Sequence, residues 1–404
     1  MAKLNVAVIG VGNMGGQYAY LLQEGEIENC RLAALTRISG KNKEMLQKSV
    51  EHSVPVFDTA DALFDAVEKG TLALDAVIIA TPHYMHEAEA VRAFQCGLQV
   101  LSDKPAGAYS AQSRRMNEAA DASRAVYAMM FQMRTNPAFQ RMKELVSSGV
   151  YGGLKRVSWV VTDWYRPEGY FSNSSWHSTW KTDGGGVLLN QCPHNLDILC
   201  WLLGTPKRVQ GFCHMGKYHN IEVEDDVTAY LEWENGATGT FISSTGEAPG
   251  VNRLEISLEE AMLVYENGEL RVGELQPELG MPEREYRASS TEYFRKINGT
   301  WRVEELAEIR DENPYVSVLQ NFVDVRIKNR IKKSDGTTDR ESETNVQAGN
   351  ASLIADGREG YESLLLTNAI YLSSWEKRMV TLPEKNSEDE QEFESRYERW
   401  LESR

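Results

Sequence analysis

The chain has 404 residues, of which 42% are apolar and 25% charged; 43 Lys and Arg face 59 Asp and Glu, for a formal charge of −16. Such a length exceeds one ordinary core and predicts two or three domains of a soluble globular protein. The acidic balance argues against nucleic acid or an anionic membrane as partner, because both require clustered Lys and Arg. The five Cys (Cys30, Cys96, Cys192, Cys200, Cys213) are odd in number and lack C-x-x-C spacing. They speak against a disulfide framework or zinc ribbon and for a reducing compartment. The opening "MAKLNVAVIG" enters a strand pattern directly, and no apolar run approaches ~18–20 residues, so a cytoplasmic protein is expected.

From Leu4 to about Phe131, short β-branched runs alternate with longer amphipathic stretches. Residues 4–10, 31–35, 74–81, 98–102 and 125–131 read as buried parallel strands, and 14–24, 84–96 and 110–123 as helices. This alternation predicts an α/β Rossmann domain, a doubly wound parallel sheet, over residues 1–131. A helix over 137–148, ended by Gly149, opens a second domain over 132–380. There strands dominate: 154–163, 206–214, 226–233, 237–243, 252–257 and 261–265. Asn-Gly pairs at 235–236 and 267–268 signal hairpins, so a mainly antiparallel open sheet is expected, in an α+β fold with a helix over 187–202 on one face. Residues 272–345 read as polar and irregular, with a mobile loop at about 332–345. A last helix over about 359–376 precedes an acidic, frayed tail at 381–404.

Gly10, Gly12 and Gly15 spell G-x-G-x-x-G between the first strand and the first helix, with Asn13 and Met14 inside the turn. The first glycine permits the turn, the second admits a pyrophosphate, and the third lets helix and strand pack; the helix N-terminus supplies amides. A dinucleotide site is the expectation. Where an acidic residue would hold a ribose 2′-OH, the chain has Thr36 and Arg37. A hydroxyl and a guanidinium suit a 2′-phosphate, which favours NADP over NAD; the alternative is Arg37 stacked on the adenine face.

Thr81 and Pro82 end the fourth strand at the cofactor edge. His83 and His86 have H-x-x-H spacing, but with no third ligand nearby they read as a cofactor-loop or cap group and a packing group; no metal is expected. Asp103 and Lys104, in "LSDKPAG", end the fifth strand on the same edge, and the following Pro holds Lys104 extended. Lys104 is either the proton acceptor for an alcohol, its pKa lowered by desolvation and a positive nicotinamide, or a surface lysine paired with Asp103.

In this order, G-x-G-x-x-G, Thr-Pro, Asp-Lys-Pro and Gly-Gly-Gly followed by His and Asp resemble the Gfo/Idh/MocA oxidoreductases, relatives of glucose–fructose oxidoreductase and inositol dehydrogenase. The resemblance covers residue 1 to about 270 and the last helix. It implies a nicotinamide-dependent oxidoreductase acting on a secondary hydroxyl of a sugar, glycoside or cyclitol, as a homo-oligomer paired through its second sheet. The family's catalytic Glu-Lys-Pro lysine falls on Lys104, with Asp103 replacing the Glu. Its Asp, and the His four residues on, fall on Asn190 and His194, one helical turn apart. An amide cannot take a proton as a carboxylate does, so acid–base work would rest on Lys104 and His194. Asp197 either orients His194 or caps the next segment. The glycines at 184–186 would let the chain reach the cofactor and turn into a helix aiming Asn190 and His194 at Lys104.

Trp159, in "WVVTDWYRPEGYFSNSSWHSTWK" (159–181), reads as core. Trp164, Tyr165, Tyr170, Trp176 and Trp180, with Arg166 and His177 nearby, read as a sugar pocket or an oligomer interface. Arg134 is a further substrate candidate. Two other functions fit the same residues. One is a glycosidase that uses retained dinucleotide for transient oxidation and elimination; the other is a non-catalytic sensor of dinucleotide or sugar.

Overall fold

A computed structural model describes residues 3–36, 53–172, 178–275, 299–306, 313–334 and 352–404. They divide into two compact units. The first comprises Met1–Thr135 with Asp311–Leu364, the second Asn136–Arg310 with Leu365–Arg404.

The first unit is built on a six-stranded parallel sheet of order β3-β2-β1-β4-β5-β6. These strands are β1 (Leu4–Ile9), β2 (Cys30–Thr36), β3 (Val56–Phe57), β4 (Ala76–Ile79), β5 (Gln99–Ser102) and β6 (Tyr127–Met129). The strands β4, β5 and β6 are buried throughout, as expected for a parallel sheet covered on both faces. Their carboxyl ends are level: Ile9 pairs with both Thr36 and Ile79, Ile79 with Ser102, and Ser102 with Met129. Whatever follows each strand therefore emerges on one edge of the sheet, as the doubly wound reading of the sequence requires.

The stretch expected to be irregular is partly regular. Helix Pro314–Ser334 sends Val318, Leu319, Phe322, Val323 and Val325 into the core of the first unit, beside Val6, Val8, Tyr18 and Leu22. Burying that stripe repays the entropy of ordering it, which accounts for 311–364 joining the first unit although the sequence placed it with the second. Of the loop expected at 332–345, residues 332–334 end this helix and the rest lie outside the described residues.

The second unit carries nine strands in the order β14-β13-β12-β11-β7-β10-β9-β8-β15. They are β7 (Leu154–Val161), β8 (Arg208–Met215), β9 (Glu224–Glu232), β10 (Thr238–Ser244), β11 (Asn252–Leu258), β12 (Ala261–Glu266), β13 (Glu269–Leu275), β14 (Gly299–Val303) and β15 (Val380–Thr381). All neighbours run antiparallel except β7 and β10. Burial alternates along β7 and β10, so the sheet has one covered face. The Asn-Gly turns behave as read: Asn267 and Gly268 both have positive φ between β12 and β13.

Two expectations change. Residues 187–202 form two helices, Val187–Asn190 and Pro193–Leu203, because Pro193 has no N–H to continue the first and disfavours helical backbone at Cys192. Nor is the acidic tail frayed. Helix Glu388–Glu402 is capped by Ser387, whose side chain accepts from Glu390 N–H at 3.2 Å, and Glu388, Asp389 and Glu390 lie at its positive end. It buries Phe393 and Tyr397. Among the described residues no helix is long and apolar enough to cross a membrane.

Candidate active site

In the first unit, the three glycines of the turn after β1 face different surroundings. Gly10 has φ +86°, and a Cβ there would lie 2.6 Å from Thr81 Cγ2 and 2.8 Å from the Ala80 carbonyl oxygen. At Gly15 a Cβ would sit 2.1 Å from the Gly10 carbonyl oxygen, the close helix–strand approach that only glycine allows. Around Gly12 a Cβ would meet nothing within 4 Å. The turn thus keeps open space beside Gly12 at the start of helix Asn13–Gln23, which holds Met14. A helix N-terminus with space over its glycine fits a pyrophosphate.

Thr36 is buried, and its hydroxyl accepts from Gly10 N–H at 3.3 Å, so it braces the turn. Arg37 lies outside the described residues. Thr81 is likewise buried and donates to Glu89 at 2.6 Å, with Pro82 next to it. His83 is buried beside His86, their rings 6.1 Å apart.

His86 has a role the sequence did not show. Its Nδ1 lies 2.9 Å from the Pro105 carbonyl and its Nε2 2.7 Å from the Thr81 carbonyl. The ring therefore straps the loop after β4 to the loop after β5, one residue beyond Lys104. Burial pushes this imidazole below its usual pKa, against the pull of the Pro105 carbonyl and of Asp103. Asp103 is buried as well, and burial raises its carboxyl although Lys104 and His86 favour the charged form. Its Oδ1 accepts from Lys104 N–H at 2.9 Å. Lys104 is half-buried at the carboxyl edge of β5. Arg134 is turned inward: it pairs with Glu359 and lies 5.6 Å from the Phe131 ring.

In the second unit the glycines at 184–186 are packed against protein. Gly184 has φ +85°. A Cβ on Gly185 would lie 2.3 Å from the Tyr371 hydroxyl, and one on Gly186 1.9 Å from the Glu224 carbonyl oxygen. What the backbone presses on is the start of β9 and Tyr371, not a space kept for cofactor. Glu224 completes the turn: its carboxylate accepts from Gly186 N–H at 2.8 Å, Leu188 N–H at 2.9 Å and the Tyr371 hydroxyl at 2.7 Å. Burial pushes its pKa up to about 7, against those three donors.

This anchored turn presents Asn190. The Asn190 amide nitrogen donates to both oxygens of buried Asp183, at 3.1 and 3.3 Å. Its oxygen accepts from the Tyr170 hydroxyl at 3.4 Å and from Gln191 at 3.4 Å. Burial raises the Tyr170 phenol, with Arg166 opposing and Asp183 adding. Trp164 and Tyr170 flank the Arg166 guanidinium, their ring centroids 5.6 and 5.2 Å away, and Tyr165 is exposed. His194 and Asp197 are buried in the first turns of helix Pro193–Leu203. Trp180 stands apart from the proposed pocket. It packs edge-on against Tyr371, Trp375 and Trp400, and its indole N–H donates to the Glu222 carbonyl at 3.2 Å. Trp176 and His177 lie outside the described residues.

Asp183, Gln191 and Glu224 were missed in the sequence. Asp183 directly precedes the glycines and Glu224 opens a strand with an acid, weak signals without the turn that joins them. Among the described residues no group of three His, Cys, Asp or Glu has metal-holding geometry.

The model of the NAD-binding Rossmann fold of this oxidoreductase family matches residues 4–131, and that of the GFO/IDH/MocA C-terminal domain matches residues 139–264. The chain belongs to the Gfo/Idh/MocA oxidoreductases. It is 25% identical over 324 residues to a levoglucosan dehydrogenase of Pseudarthrobacter phenanthrenivorans, covering 72% of this chain and 80% of that one. It is 23% identical over 395 residues to the D-glucoside 3-dehydrogenase of Escherichia coli K12, covering 92% and 96%. The fold also matches the WlbA dehydrogenase of Bordetella pertussis, solved with NADH and UDP-GlcNAcA, at TM-score 0.69 and 23% identity over 95% and 100% of the two chains. Residues 4–131 are thus the NAD-binding Rossmann fold of the Gfo/Idh/MocA family.

Proposed function

We propose that this protein is a nicotinamide-dependent dehydrogenase that interconverts a secondary hydroxyl and a ketone on a sugar, glycoside or cyclitol. The observation that carries this reading is the shared edge of the first sheet. The Gly10–Gly15 turn, with its open space at Gly12, and Lys104 after β5 both emerge at the level carboxyl ends of the strands. Relatives named as levoglucosan, D-glucoside and inositol dehydrogenases support the substrate class. When bound, a nicotinamide dinucleotide supplies the hydride acceptor or donor. Lys104 takes the hydroxyl proton, Asp103 and His86 hold its loop, and Asn190 and His194 orient the substrate ring.

The cofactor preference turns on Arg37. Thr36 is buried, with its hydroxyl oxygen accepting from Gly10 N–H, so a choice of NADP over NAD depends on that guanidinium reaching a 2′-phosphate. Association of copies through the second sheet follows from the same family reading, and residence in the cytoplasm from an odd number of Cys without C-x-x-C spacing.

The test is nicotinamide absorbance with NAD⁺ or NADP⁺ and a panel of inositols, hexoses and aryl glycosides. Turnover with one class is expected, falling roughly 10²–10⁴-fold in Lys104→Ala, the span of a lost acid–base group. Glycoside cleavage without net reduction, with dinucleotide bound as purified, would replace this reading by the elimination-type glycosidase. Full turnover in Lys104→Ala would remove the lysine from the mechanism.

A further inference from the structure

We infer that Arg166 forms a subsite for a carboxylate, and hence that the preferred substrate is an acidic sugar or cyclitol, such as a uronate, rather than a neutral one. This deepens the dehydrogenase reading above and rests on it.

Arg166 is half-buried between Trp164 and Tyr170. One terminal nitrogen donates to the Tyr165 carbonyl at 3.1 Å, and its buried Nε has no hydrogen-bond acceptor. Among the described residues no carboxylate lies within ion-pair distance of it, in a chain with 59 acids to 43 bases. The neighbouring 173–177, "NSSWH", carries no acid either. A cation taken partly out of water without a counterion carries a desolvation cost that an anionic ligand removes.

The guanidinium is also held in place. Arg166 N–H donates to the Thr245 carbonyl at 2.9 Å, and the Arg166 carbonyl meets His219 Nε2 at 2.8 Å. His219 is buried, with Nδ1 3.0 Å from Asp225, which accepts the N–H groups of Lys217, Tyr218 and His219 as well. The backbone under Arg166 is thus pinned from both sides, which lowers the entropy lost on binding. Through Tyr170, whose hydroxyl donates to Asn190, the cation joins the residues proposed to orient the substrate ring. Of the nearby acids, Asp183 is turned toward Asn190 and Ser178 N–H, and Glu168 accepts from Asn220 N–H at 3.1 Å. One planar guanidinium matches one carboxylate in charge and geometry; a phosphate dianion would call for more donors.

The experiment compares kcat/KM of the full chain, with the active nicotinamide cofactor, on methyl glucoside, methyl glucuronide, galacturonate and glucose 6-phosphate. The carboxylated sugars are expected to exceed the neutral one by about tenfold or more, since a site built for a polar group discriminates against its absence. Arg166→Gln should collapse that acid-to-neutral ratio through KM, and Arg166→Lys, the milder change to the fold, should lower it part-way. Equal rates on acidic and neutral sugars, or a ratio unmoved by both variants, would overturn the subsite; preference for glucose 6-phosphate would overturn its assignment to a carboxylate. No turnover on any sugar would instead refute the dehydrogenase reading. In that case thermal shift with methyl glucuronide decides the subsite alone: a shift lost in Arg166→Lys upholds it, and no shift in the parent protein overturns it.

Discussion

Two glycine turns, each leading into a helix, invite the same reading from sequence and differ in what they face. At residues 10–15 the middle glycine borders open space, whereas at 184–186 Gly185 and Gly186 press on Tyr371 and Glu224. A glycine run reports only that something comes close to the backbone. Whether that neighbour is a ligand or the protein's own strand depends on which elements the topology brings there. The first turn leaves open space beside Gly12 at a sheet edge, and the second is a buried joint that fixes where Asn190 stands.

The largest expected effect tests the joint. In Gly186→Ala the new Cβ would lie 1.9 Å from a backbone oxygen, which cannot rotate away. A loss of roughly 3 kcal/mol or more is expected, at the upper end of overpacking effects. Gly15→Ala, 2.1 Å from the Gly10 carbonyl, should be comparably damaging in the other unit. Denaturant melts of both variants measure this; a midpoint close to the parent's for Gly186→Ala would mean that the joint yields.

The next effect concerns charge at the same joint. Glu224, pushed up to about 7 from an ordinary 4.5, binds its proton more tightly folded than unfolded. The protonated fold is therefore favoured below about 4.5, and that contribution is lost as pH rises from 4.5 to 7, on the order of 3 kcal/mol in all. Glu224→Gln should flatten this part of the pH dependence of Tm. It should also lower Tm at pH 8, because an amide nitrogen would face Gly186 or Leu188 N–H. A parent and variant with parallel Tm–pH curves would show that Glu224 titrates as it does in the unfolded chain.

Smaller again is the effect of restoring the family's acid beside the joint. Asn190→Asp would set a second carboxylate about where the amide nitrogen now meets Asp183, at 3.1 Å. Like charges so close cannot both ionise freely, so one of the pair should titrate well above the usual carboxylate range. Stability should fall by roughly 1–3 kcal/mol between pH 5 and 8 relative to the parent. Equal Tm at pH 8 would show that the site tolerates two charges. A fall of that size would make the departure at Asn190 a matched change, with Asp183 as the acid.

The sequence was most legible where period and motif coincide. The parallel strands, the turn at Gly10–Gly15 and the order Thr81, Asp103, Lys104 are local signals, and the level strand ends turn them into one edge. Helix Pro314–Ser334 was missed because polar flanks masked its apolar stripe. The tail helix was missed because its run of acids suggests a frayed end, whereas a helix N-terminus prefers that charge. The Asp183–Asn190–Tyr170 network, the Glu224 anchor and the His86 strap join residues 5 to 147 positions apart, and no sequence period encodes those meetings. Trp180 shows the converse: an aromatic in a polar stretch that is core, because Trp375 and Trp400 arrive from elsewhere in the chain.

The smallest effect on stability is also the sharpest test of the contrast. Gly12→Ala adds a methyl group where the protein offers no atom within 4 Å, and Gly12 does not have positive φ. The fold should tolerate it, with Tm within a degree or two; the change from Gly even restricts the unfolded chain slightly. If the space belongs to a pyrophosphate, the same methyl should weaken dinucleotide binding by about tenfold or more, because the second glycine exists to let phosphate approach the backbone. Titration of NADH fluorescence separates the two quantities in one preparation. Stable protein with weakened binding assigns the space to the cofactor, while unchanged affinity would make Gly12 a turn residue and leave Gly10 and Gly15 as the only glycines with a physical necessity in the motif.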